Sequence, residues 1–128
     1  MSYRFERLEI WKQARGYCNN IYNVTREFPK EEKFAMTDQL KRAALSVVFN
    51  VAEGSERNYD KEFIRFLRIS QASICEIVTA LYIALDQKYI NQNEFEKNYK
   101  ESNELSARIN AMIRTVSSKL DNAVSSKR

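Results

Sequence analysis

The chain has 128 residues, of which 44% are hydrophobic and 30% charged, the composition of a single globular domain that can bury a core without metal or disulfide cross-links. Two glycines and one proline leave little material for hairpin turns, which argues against all-β and doubly wound folds. The formal charge of +4 favours anionic partners, but Lys and Arg are interleaved with Asp and Glu, so it is weak evidence for nucleic acid.

The N-terminal sequence MSYRFERLEIWKQ is charged and lacks the apolar segment of a secretory signal. No run of about 18 apolar residues follows. We therefore expect a soluble, cytoplasmic protein with no membrane partner. Cys18 and Cys75 both lie beside apolar residues in helical patterns, so we expect two buried free thiols rather than a disulfide or redox pair.

The first predicted helix covers about residues 5–28, and Pro29 ends it. Gly16 lies inside this helix, where it either permits a close helix contact, which we favour, or is tolerated at a cost of about 1 kcal/mol relative to Ala. Apolar side chains recur at steps of three and four on one face: Leu8, Trp11, Ala14, Cys18, Ile21, Thr25 and Phe28.

The second predicted helix covers about residues 35–53, with Gly54 as the left-handed residue after its end. Its start has two alternatives: a short turn followed by Thr37 as the cap, or a helix that begins directly after Pro29. Its core stripe comprises Leu40, Ala43, Ala44, Val47 and Val51.

The third predicted helix covers about residues 60–88, and Asn91 with Glu94 predicts a capping box that opens a fourth. We expect residues 121–128 to be a frayed tail. Four helices with short links predict an all-α, antiparallel up-down-up-down four-helix bundle over residues 1–120. The third stripe comprises Phe63, Leu67, Ser70, Ile74, Ile77, Leu81 and Ala84 or Leu85, and the fourth Phe95, Ser102, Leu105, Ile109, Met112, Ile113, Val116 and Leu120.

Helices two and three each carry a second apolar stripe opposite the core stripe. Two such stripes on consecutive helices predict self-association, unless a tilted bundle buries more than one stripe of each helix. The predicted interface residues are Leu45, Val48, Phe49 and Ala52 on helix two and Ile69, Ala72, Ala80 and Ile83 on helix three.

The chain has no histidine, no glycine-rich phosphate loop and no paired cysteine motif. These absences remove the commonest general base, the usual zinc signatures and phosphate cradles. We therefore expect no catalytic residues, no metal and no cofactor.

Basic residues recur on one face of helix three, at Lys61, Arg65 and Arg68. They form either a solvated face with Glu62 and Glu76 nearby or a ridge that contacts the phosphates of RNA or DNA without reading bases. Further candidates for such a surface are Arg42 on helix two, Arg7, Lys12 and Arg15 on helix one, and Lys127 and Arg128 in the tail.

Three residues at the end of helix two are candidates for a structural role: Asn50, Glu53 and Gly54. Asn50 lies near the edge of the core stripe, where we expect it to cap a chain end or fix helix register through a hydrogen bond. Glu53 lies in the last turn, where the helix dipole disfavours a carboxylate, so we expect an Arg or Lys partner.

The segments FERLEIWKQAR, FPKEEKFAMTDQLKRAA and NVAEG followed by DKEFIRFLRIS occur in an order and spacing that resembles the proteins encoded within intervening sequences of bacterial 23S ribosomal RNA genes. The resemblance covers most of the chain. Tyr59 replaces the Ser common before DKEF, so we expect Asn58 to be the helix cap instead. Val48 and Phe49 replace the Pro and the small residue that are common in the family, which makes the outer side of helix two more apolar.

This resemblance implies a homo-oligomeric four-helix bundle, for which we expect a ring of five subunits. It also implies kinship with the accessory proteins of diversity-generating retroelements, whose basic pentamers bind nucleic acid and a reverse transcriptase. It supplies no catalytic residues. We expect a non-catalytic oligomer that binds RNA or DNA backbone, or alternatively a scaffold that docks a partner protein.

Overall fold

A computed structural model describes the backbone of residues 2–126 and the side chains of residues 2–122; Lys127 and Arg128 lie outside the described residues. Short 3-10 helices at Arg4–Arg7 and Lys30–Glu32 accompany four α-helices: α1 (Glu9–Thr25), α2 (Met36–Ser55), α3 (Asp60–Asp86) and α4 (Gln92–Ser126). Helices α1 and α3 each pack on both α2 and α4. The predicted antiparallel up-down-up-down bundle is confirmed.

The core is formed where the predicted stripes of the four helices meet. The two serines of those stripes, Ser70 and Ser102, are fully buried. Ser70 Oγ donates to the Val47 carbonyl at 2.8 Å, and the Ser102 and Tyr17 hydroxyls share a hydrogen bond of 2.7 Å. Burial raises the pKa of Tyr17, because an apolar surrounding disfavours the phenolate. The hydroxyl groups of Tyr17, Ser70 and Ser102 are therefore paired, whereas Gln13 Oε1 is buried without a hydrogen-bond partner among the described residues.

The N-termini of α2 and α4 are capped in different ways. The link before α2 contains a turn, as one alternative predicted, but Thr37 is not the cap: Ala35 is, and the Glu32 carboxylate accepts from the Met36 N–H at 3.3 Å. An acidic side chain from the preceding turn therefore satisfies an amide at this helix start. The predicted capping box of α4 is confirmed, since Asn91 N–H donates to Glu94 Oε1 at 3.1 Å and Glu94 N–H to Asn91 Oδ1 at 2.8 Å.

At the start of α3 the expected cap is wrong. Tyr59, not Asn58, is the N-cap residue, and its side chain makes no capping hydrogen bond. Tyr59 has an extended backbone, and its carbonyl accepts from the N–H groups of Glu62 and Phe63 at 3.1 Å. The helix begins one residue later than a cap at Asn58 would place it.

Both glycines lie within helices, and both expectations about them are wrong. Gly54 belongs to α2 and has no left-handed backbone. A Cβ at this position would lie 2.6 Å from Phe66 Cβ, so glycine permits the close approach of α2 and α3. Gly16 is exposed, and apart from the local backbone of α1 no described atom lies within 4 Å of a Cβ built there, so α1 merely tolerates it.

By length and composition alone, α3 is apolar enough to span a bilayer, since an 18-residue stretch has a mean hydropathy of 1.3. Of that stretch, 39% is buried inside the bundle. The core helix of a soluble bundle also reaches this length and hydropathy when it carries a second apolar stripe, as α3 does. The expectation of no membrane partner stays a prediction.

Candidate interface on helices α2 and α3

The outer face of α2 and α3 exposes large apolar side chains. Phe49 is 55% exposed, Ile83 46% and Ile69 37%. Ala72 is also exposed, whereas Leu45, Ala52 and Ala80 are half-buried. We call this set of seven residues the apolar outer face.

Val48 does not belong to the apolar outer face, although the sequence pattern placed it there. Its side chain is only 8% exposed and is part of the hydrophobic core. The reason is that α2 packs on α1 as well as on α3, so the bundle buries a wider arc of this helix than one stripe. At Val48, therefore, the alternative interpretation is correct: the bundle buries part of the second stripe as well as the core stripe.

The apolar outer face ends in a groove that sequence reasoning missed. The groove has a volume of about 560 Å³, and Phe34 at its edge is 88% exposed. Gln39 Nε2 donates to the Glu76 carboxylate and so links α2 to α3 beside it. The available signal was a phenylalanine set among charged residues in a loop. The other lining residues are Ala35, Met36, Asp38, Leu40, Ala43, Thr79, Ala80 and Ile83.

The predicted basic residues of α2 and α3 are all exposed, and two are paired within their own helix. Arg65 contacts Glu62 at 3.0 Å and Arg42 contacts Asp38 at 2.9 Å. Exposed pairs of this kind contribute at most about 1 kcal/mol, so both guanidinium groups can still exchange partners. The side chains of Lys61 and Arg68 make no ion pair or hydrogen bond with any other described residue.

The basic residues of helix one form a separate group. Lys12 contacts Glu9 at 3.4 Å, and the Arg15 guanidinium lies over the Trp11 ring, 5.8 Å from its centroid. Arg7, in the first 3-10 helix, makes no side-chain ion pair within residues 2–122. The seven predicted nucleic-acid residues that lie within the described part of the chain are therefore split between two helix surfaces rather than brought into one site.

The basic row and the apolar outer face overlap on α3. Arg65, Ile69 and Ala72 follow one another at steps of four and three, which places them on one ridge of the helix. Arg68 is displaced toward α4, because it lies one turn before Gln71, whose Nε2 donates to Asn110 Oδ1 on α4 at 2.6 Å. Any partner that covers Ile69 and Ala72 therefore also covers Arg65 and leaves Arg68 at the edge.

The candidate structural residues behave differently from expectation. Asn50 Nδ2 donates to the Ser46 carbonyl at 2.7 Å and to Ser46 Oγ at 3.1 Å, within its own helix. Ser46 Oγ in turn pairs with Ser73 Oγ on α3 at 2.7 Å, so Asn50 acts on the α2–α3 contact only indirectly. Gly54 acts through the close packing described above.

Glu53 is exposed and lacks the expected Arg or Lys partner among residues 2–122. Arg4 Nη1 donates to the Ser55 carbonyl at 3.2 Å, where it satisfies a free acceptor at the C-terminal end of α2. The positive charge of Arg4 thus lies at the Ser55 carbonyl, where it offsets the negative end of the α2 dipole, and does not pair with Glu53.

The two cysteines also differ. Cys18 is buried, as expected, and burial raises the pKa of its thiol. Cys75 is exposed, which corrects the expectation of two buried thiols, because its position on α3 faces outward between the core and α4.

Within the described residues no three His, Cys, Asp or Glu side chains converge, so we assign no residues to a metal.

Comparison with known proteins agrees with the resemblance found in the sequence. The sequence model described as "23S rRNA-intervening sequence protein" matches residues 6–111. A solved structure of a protein with unknown function from the S23 ribosomal protein family of Bacteroides thetaiotaomicron superposes with a TM-score of 0.75 at 22% identity, over 81% of this chain and 97% of that one. No curated protein matches. Because the family model covers most of the sequence, the chain belongs to the 23S rRNA-intervening sequence protein family.

Proposed function

We propose that the protein is a non-catalytic homo-oligomer, arranged as a pentameric ring in the cytoplasm, that binds the phosphate backbone of RNA or DNA through basic helix surfaces. The observation that carries the proposal is the outer surface of α2 and α3, which presents exposed apolar side chains and weakly paired cations together. The exposed apolar side chains favour association between copies. The cations bind a phosphate backbone more tightly when several copies present them together.

Self-association is supported by the apolar area left open in a single chain. Complete burial of a Leu, Ile or Phe side chain contributes about 1.5–3 kcal/mol relative to exposure. Phe49, Ile69 and Ile83 are already partly covered, so each would contribute less than that range. Together with the adjacent alanines, these residues can offset the free energy lost on association, about 4–15 kcal/mol.

Backbone binding is supported by the state of the cations. Lys61 and Arg68 are free among the described residues, and the ion pairs of Arg42 and Lys12 are solvent-exposed, so a phosphate can replace the carboxylate at little cost. Each neutralised phosphate releases counterions, which makes affinity salt-dependent. A ring repeats the cations of one chain and so raises avidity without new contacts.

A salt titration with a generic RNA tests this proposal. We expect affinity to fall steeply with rising salt, and the charge reversal Lys61→Glu/Arg68→Glu to flatten the slope of log affinity against log salt by about 2. The matched control is Lys97→Glu/Arg108→Glu on α4, which makes the same change in net charge on a different surface. No binding at low salt, or equal losses in both variants, would refute backbone contact by α3.

A second function, docking of a partner protein, is favoured by Phe34 and its groove. An exposed aromatic side chain next to an apolar groove is a typical anchor for a protein partner. A pull-down that survives nuclease treatment, and that Phe34→Ser abolishes without changing the subunit number, supports this function. Loss of the captured protein on nuclease treatment supports nucleic-acid binding instead.

A further inference from the structure

A second groove runs between α3 and α4, on the surface next to the apolar outer face. Its volume is about 260 Å³, small for an enclosed ligand pocket but sufficient for planar groups that lie along it. None of its described lining residues carries a formal charge. They are Gln71, Ile74, Cys75, Val78, Thr79, Tyr82, Tyr99, Ser102, Asn103 and Ser106.

One end of this groove presents aromatic rings. Tyr82 and Tyr99 are 48% and 36% exposed, and their ring centroids lie 6.4 Å apart. Both rings rest on Phe95, which is buried, at centroid distances of 4.7 and 5.7 Å. Packing against Phe95 fixes the rings, while their outer surfaces and hydroxyl groups stay without a hydrogen-bond partner among the described residues. Such surfaces can stack a nucleobase of any identity.

The other end of the groove presents cations. Arg68 lies one turn before Gln71, and Arg114 lies one turn after Asn110. Because Gln71 and Asn110 are hydrogen-bonded across antiparallel helices, both arginines project from the same end. Neither has an ion pair in the part of the chain that the structure describes. This end can therefore neutralise phosphates.

The length and polarity of the groove match one nucleic-acid strand. From Arg68 to Tyr82, α3 rises about 21 Å, the span of about six stacked nucleotides. Asp86 and Glu96 lie one turn beyond the two tyrosines, where their carboxylates can accept hydrogen bonds from base amino groups. A duplex hides the faces of its bases and cannot use the tyrosines.

We propose that the α3–α4 groove binds single-stranded nucleic acid, with bases on Tyr82 and Tyr99 and phosphates at Arg68 and Arg114. This rests on the proposed nucleic-acid function and narrows its substrate to single strands. The groove lies beside the surface that self-association would cover, so one copy can use both.

The test compares dodecamers of uridine and of deoxythymidine with a blunt 12-base-pair duplex, by fluorescence anisotropy at low salt. Tyr82→Leu/Tyr99→Leu keeps an apolar cover on Phe95 but removes the rings. We expect this variant to bind both single strands about a hundredfold more weakly, since it removes two base–aromatic stacks and each contributes about tenfold. Duplex affinity should not change. The ring-preserving variant Tyr82→Phe/Tyr99→Phe should bind like the native chain, as should Tyr59→Leu, which alters an exposed tyrosine elsewhere.

Cys75 provides an independent readout, because it lines the groove and is exposed. At fixed protein concentration, a bound single strand should slow the alkylation of Cys75 severalfold, and the duplex should not. If the leucine variant binds single strands as well as the native chain does, or if Cys75 is not protected, the groove assignment is wrong while the proposed function stands. If no probe binds at low salt, both fail.

Discussion

Gly54→Ala should loosen the contact between α2 and α3. The added Cβ would meet Phe66 Cβ at 2.6 Å and Phe63 Cδ1 at 3.1 Å, and the first of these atoms is fixed to the α3 backbone. To restore an ordinary 3.4 Å contact the two helices must separate by about 0.8 Å. Overpacking costs about 1–3 kcal/mol, and a clash with an atom fixed to the backbone belongs in the upper half of that range. The better helix propensity of Ala returns about 1 kcal/mol, so we expect a net loss of about 1–2 kcal/mol.

Urea unfolding followed by circular dichroism, at one protein concentration, measures this loss. Gly16→Ala is the matched control: the same substitution in another helix, where no described atom would be crowded, should stabilise the protein by about 0.5–1 kcal/mol. Opposite signs for the two variants are the expected result. A Gly54→Ala protein that is as stable as the native chain, or more stable, would refute the close-packing account.

Three further outcomes are expected. Because burial raises the pKa of Tyr17, the unfolded state releases this proton first, so stability should decline above about pH 10, the ordinary value, and Tyr17→Phe should make that decline in urea midpoint shallower. A thiol reagent should modify Cys75 in the folded protein but Cys18 only after unfolding, as mass spectrometry of digested peptides would reveal. Asn91→Ala should lower the unfolding free energy by about 1 kcal/mol, measured by urea titration, because the Glu94 N–H loses its acceptor.

Much of the fold could be predicted because its signals are local and periodic. The core stripes follow from steps of three and four, and the Asn91–Glu94 capping box from two side chains three residues apart. Gly54 could not be assigned correctly in this way. A glycine near a helix end is typical of a left-handed cap, and only the position of Phe66 on another helix shows that this one serves packing.

The candidate site was less accessible to sequence reasoning. The shared ridge of Arg65, Ile69 and Ala72 follows from spacing alone and could have been recognised. Val48 was misassigned because one helical wheel does not report how wide an arc the neighbouring helices cover. The groove beside Phe34 depends on where two loop residues lie relative to α2 and α3, for which no periodic pattern exists.

The central claim, that copies associate through the apolar outer face, is tested most directly by light scattering coupled to size-exclusion chromatography. The native chain should elute as a multiple of 15.1 kDa, about 75 kDa for a pentamer. Ala72→Asp, on the apolar outer face, should yield single subunits, whereas Ala107→Asp, at an exposed position of α4, should not. A native chain that remains at 15.1 kDa at high concentration would contradict the account.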